Sequence, residues 1–83
     1  MIISKKYATV QETKSFKIVF ADNTGSDAID ALATSAGGTW RNTVSNYDGE
    51  GHDIGFIDVP AENADYLEEM LDADDNVIEY NEI

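Results

Sequence analysis

The sequence predicts an α+β fold, a ferredoxin-like β-α-β-β-α-β sandwich with a four-stranded antiparallel sheet and two helices on one face. Three observations lead there. Residues 14–21, KSFKIVFA, alternate apolar and polar positions in β-branched and aromatic types. Two stretches of apolar residues at helical spacing follow, separated by two β-rich runs, and a short apolar run closes the chain. Two right-handed β-α-β crossovers around one hairpin satisfy that order.

The first strand puts Phe16, Ile18 and Phe20 on one face and Lys17, Val19 and Ala21 on the other. The stretch ADNTGSD then supplies turn residues, and Thr24 with Asp27 three positions on reads as a capping box, aspartate standing in for glutamate. Ala28, Ile29, Leu32, Ala33 and Ala36 form the stripe of the first helix, which Gly37 and Gly38 end where a positive φ is wanted. Residues 39–47, TWRNTVSNY, read as the second strand, and Asp48-Gly49 opens a hairpin loop that runs through His52 and Asp53. Residues 54–59, IGFIDV, return as the third strand. Pro60 suits the first turn of the second helix because it has no N–H to leave unsatisfied, and Glu62 and Asp65 favour that positive end of the helix dipole. Ala64, Leu67, Met70 and Leu71 are its buried stripe, and residues 76–80 are the last strand, with 81–83 a short exposed end. The core should draw on Phe16 or Phe20, Leu32, Trp40, Ile57, Leu67 and Val77. Residues 1–13 stand outside this unit. Ile2, Ile3, Tyr7 and Val10 make them an arm or an extra edge strand, leaving 14–83 as the domain.

Eighty-three residues supply one core, and a chain of this size buries only about 60% of its unfolded surface. Cysteine is absent, so neither disulfides nor thiolate metal sites contribute, which fits a reducing, cytoplasmic setting. No apolar run has the length of a signal peptide or a membrane span. Seventeen carboxylates oppose five basic residues, for a net charge of −12. Phosphate backbones are bound by charge neutralisation, so direct nucleic-acid binding is disfavoured. Such charge serves solubility, or else a partner with a basic face.

Catalytic signatures are missing. His52 is the single histidine and has no second nitrogen ligand to join it, so it reads as a solvated loop residue. No nucleophile elbow, phosphate loop or zinc-binding H-E-x-x-H occurs, and the expectation is a protein that is not an enzyme and carries no cofactor. Asp72, Asp74 and Asn76 match the first three ligand positions of an EF-hand loop, but Val77 and Ile83 stand where glycine and glutamate are needed. They are a weak cation candidate at the negative end of a helix, and otherwise a solvated turn.

FKIVFAD at the first strand, GGTW after the first helix and DADDNVIEYNE at the close together resemble the subtilisin propeptide and proteinase inhibitor I9 family, over about residues 14–82. That resemblance implies a folding escort or inhibitor of a subtilisin-like protease, with the open sheet face on the enzyme and a C-terminal tail in its cleft. Val77 and residues 79–82 match the closing strand, so Tyr80, Asn81, Glu82 and Ile83 are the candidate partner-binding residues. The alternative function is that of an acidic interaction protein, of the kind small viral proteins supply, competing for a basic, nucleic-acid-binding surface.

Overall fold

The computed structural model describes residues 12–21 and 24–83. Its strands are β1 (Thr13–Phe20), β2 (Thr39–Val44), β3 (Asp53–Pro60) and β4 (Val77–Glu82), in the spatial order β2-β3-β1-β4. All three pairings are antiparallel. Helix α1 (Ser26–Ser35) connects β1 to β2, and α2 (Ala64–Ala73) connects β3 to β4. This is the ferredoxin-like arrangement. The expected arm or edge strand over 1–13 falls outside the described residues except at its end, where Thr13 already belongs to β1 and pairs with Pro60.

The strand period decides which side chains meet the helices. Phe16, Ile18 and Phe20 of β1 and Ile57 and Val59 of β3 form one buried cluster with Ile29, Ala33 and Ala36 after β1, and with Ala64, Leu67 and Leu71 of α2. Leu32, Trp40, Val77 and Tyr80 pack at its margin. Both candidate phenylalanines are thus in the core. Ala28 is exposed and Met70 only half-buried, so each helix buries a narrower stripe than its apolar content allows.

Two close approaches explain glycines in this frame. At the end of α1 the Gly38 N–H donates to Ala33 O at 2.8 Å and the Gly37 N–H to Thr34 O at 2.9 Å, closing a Schellman motif with Gly37 at φ +75°. A Cβ on Gly38 would collide with the Asp58 carbonyl oxygen, so only glycine lets β2 start against β3. Asn63 fastens the same corner by donating from Nδ2 to Ala36 O at 2.9 Å.

Several boundaries differ from expectation. The residue before α1 is Gly25, with no side-chain cap, and the Thr24 hydroxyl accepts from Asn76 Nδ2 at 2.8 Å. A contact 52 positions away therefore engages the group that local spacing assigned to a capping box. Pro60 ends β3, and a short 3₁₀ turn (Ala61–Asn63) precedes α2. The Ala61 N–H donates to Glu12 O at 2.8 Å, which extends the β1–β3 ladder past the proline. Strand β2 stops at Val44, because residues 45–52 are drawn into a hydrogen-bonded loop.

Candidate functional site

Residues 81–83 are bound into the sheet through their backbone. Strand β4 runs through Glu82, with Asn81 opposite Lys17 and Glu82 opposite Phe16. The Ile83 N–H donates to Ser15 O at 2.8 Å. The side chains of 81–83 are exposed, as expected, but the last strand, expected to end at Tyr80, runs on through Glu82. Ladder hydrogen bonds to a central strand offset the cost of ordering this segment. Tyr80 is half-buried against the core, and its hydroxyl donates to Asp72 Oδ1 at 2.7 Å. That bond to the Asp72 carboxylate pushes the phenol up to about 12, with burial and the nearby Asp72 and Glu68 charges adding to it.

The acidic turn is likewise committed internally. Asp72 accepts from Tyr80, while Asp74 Oδ1 accepts the Asn76 N–H at 2.9 Å. Asn76 binds Thr24 through its side chain, and its carbonyl accepts the Ala21 N–H at 2.7 Å. Asn76 therefore ties the connection after β1 to the connection before β4. The three candidate cation ligands serve three different purposes, and among the described residues no three histidine or acidic side chains gather as a metal site.

The start of β3, just past the β2–β3 loop, holds a buried group that local sequence patterns placed in the loop. Asp53 is 1% exposed, and its carboxylate accepts the Asn46 N–H at 2.8 Å and the Gly25 N–H at 3.4 Å. One buried side chain thus joins the hairpin to the start of α1. The signal was available in the strand period, since Asp53 shares the inward parity of Ile57 and Val59. His52 Nδ1 lies 2.5 Å from Asp48 Oδ2, and Asp48 Oδ1 accepts the Glu50 N–H at 2.9 Å. Burial pushes the Asp48 carboxyl up, but the Glu50 N–H and His52 outweigh it and hold it below its ordinary value. His52 is thereby a fastening of this loop.

Two surfaces remain. The helical layer, residues 24–36 and 61–76, holds nine carboxylates and no lysine or arginine. Along α2, Asp65, Glu68, Glu69 and Asp72 recur at i, i+3, i+4 and i+7, one face of a helix spanning about 10 Å. The opposite face of the sheet carries no described helix or strand. There Phe56 stands between Asn42 and Lys17, and in the next row Ile54 stands between Val44 and Val19. Register shifts at Arg41, which leans over this face so that its Nε lies 3.5 Å from Asp58 Oδ2, and the Ser15 hydroxyl donates to Asp58 Oδ1 at 2.5 Å. Arg41, Asn42 and Phe56 line an open cleft of about 330 Å³.

No protein-family model matches the chain, and no curated protein or solved structure matches it either. Among the described residues, no helix is long and apolar enough to cross a membrane.

Proposed function

We propose that this chain is a non-enzymatic, cytoplasmic protein-binding module that meets a basic partner surface through its helical layer. The observation that carries this reading is the face of α2, where Asp65, Glu68, Glu69 and Asp72 adjoin one another with no basic side chain in either helical segment. Like charges at i,i+3 and i,i+4 repel, and cations brought by a partner relieve that repulsion. The same array imitates the charge of a phosphate backbone, so the partner is a protein whose basic face otherwise holds nucleic acid. Binding should weaken steeply with salt. The test is competition: the protein should displace duplex DNA from its partner, and the triple variant Asp65→Asn, Glu68→Gln, Glu69→Gln should lose that ability at least tenfold, about 1.4 kcal/mol. Equal displacement by the variant would overturn the reading.

The second reading is a propeptide-like inhibitor or folding escort of a subtilisin-like protease, supported by the ferredoxin-like strand order with one sheet face that no described helix or strand covers. Its tail would have to leave β1 before entering a cleft, which breaks the Ile83–Ser15 bond and the pairs at Asn81 and Glu82. Weak inhibition is therefore expected, lost on removing residues 81–83. Absence of inhibition at micromolar protein would exclude it.

A further inference from the structure

We infer that the open face of the sheet is a self-association surface, on which a second copy of this chain packs sheet against sheet about a two-fold axis. The reason is charge. The chain carries −12, yet by register this face presents Lys17 and Arg41 against Asp58 and Glu79, a balance of zero. A two-fold axis requires a surface that complements itself, and a face with equal numbers of both signs meets that condition. The helical layer cannot, since it would set nine carboxylates against nine.

The shape agrees. Val44 on the edge strand β2 is 40% exposed and Phe56 of β3 is half-buried, so apolar surface is available toward the β2 side of the face, while Val19 and Ile54 are buried. The cleft beside Arg41 and Phe56 offers room for a side chain of the second copy. Packed sheets lie about 10 Å apart, with strands about 30° from alignment. The helical layers then occupy the two outer sides, farther apart than the Debye length of about 8–10 Å at moderate salt. Their mutual repulsion is screened, and both acidic faces remain open to other partners.

Area sets the strength. Four strands about 4.8 Å apart and six residues at about 3.3 Å each give roughly 400 Å² per copy. The total of about 800 Å² lies below the 1,200 Å² of ordinary stable interfaces. The dimer is accordingly weak and concentration-dependent.

Sedimentation equilibrium from micromolar to millimolar protein tests this, and it does not depend on the helical-face reading above. The expected result is a mass that rises from monomer to dimer and stops there. Arg41→Glu and Val44→Glu, both at exposed positions, should leave circular dichroism unchanged and lower the melting temperature of dilute monomer only slightly, and each is expected to raise the dissociation constant at least tenfold, about 1.4 kcal/mol. Glu69→Gln on the helical layer should not weaken association. A monomer at millimolar concentration, growth beyond the dimer, or indifference to both sheet-face variants would overturn the proposal. So would a chain that dimerises only after residues 1–11 are deleted, because that result assigns the face to its own leading segment.

Discussion

On the side of the sheet that meets the helices, β1 and β3 carry Phe16, Ile18, Phe20, Ile57 and Val59, all buried in one cluster. On the other side, the same two strands carry Ser15, Lys17, Val19, Ile54, Phe56 and Asp58. Ile54 and Val19 are buried there too, but their neighbours are charged, polar or half-exposed. One backbone therefore supports two chemistries, alternating at every residue. Side chains aimed at the helices hold the fold, while of those aimed away only Ser15, Lys17, Phe56 and Asp58 keep exposed surface for contact.

The largest expected effect lies on the helix side. Leu67 is 0% exposed, so Leu67→Ala should cost about 2–5 kcal/mol through lost burial and the cavity left behind. Chemical denaturation checks it, and a midpoint equal to wild type would erase the distinction between the two faces. Asp53→Ala comes next. It strips the acceptor from two backbone N–H groups that join the hairpin to α1, and a loss of about 1–3 kcal/mol is expected. Hydrogen exchange should speed up at Asn46 and Gly25 before the rest of the sheet. A uniform change would mean that Asp53 acts on the whole core.

Tyr80 stands at the margin between core and solvent, and its effect depends on pH. Folding raises its pKa from the ordinary value near 10 to about 12. The protonated phenol is the form that donates to Asp72. Its contribution is fully present below about pH 10 and is lost as the pH rises through about 12. Ultraviolet titration of the native protein should show a late tyrosine phase that is lost in Tyr80→Phe. If the late phase survives that substitution, the bond to Asp72 is not its cause.

The smallest effect belongs to the open face. Arg41→Ala removes an exposed ion pair with Asp58 and should change the stability of dilute monomer by about 0–1 kcal/mol. A loss comparable to that of Leu67→Ala would show the open face to be as structural as the core.

Much of this architecture was legible residue by residue. The alternation of KSFKIVFA, the stripe containing Ile29 and Ala33, the stripe containing Leu67 and Leu71, and the Gly37-Gly38 stop all depend on neighbours within a few positions. Local geometry is enough to read such signals. The acidic character of the helical layer could also be read directly, because the apolar stripe of each helix leaves its acids outside.

What was misread depends on contacts that no local pattern encodes. The Thr24 hydroxyl met Asn76 through the packing of two crossover connections. The ladder continued from β3 past Pro60 because Glu12 lay opposite to accept from Ala61. Asp53 moved from an assumed hairpin loop into the interior because two backbone N–H groups converged on it. Strand β4 ran past Tyr80 because β1, the central strand beside it, paired with Asn81 and Glu82. By itself the sequence determined the order and type of the elements, the two apolar stripes and the sign of the surface, all properties of short-range periodicity and composition. Only the tertiary structure decided which polar groups are spent on holding the fold, since a hydrogen bond between residues 28, 52 or 68 positions apart exists only once the sheet has closed.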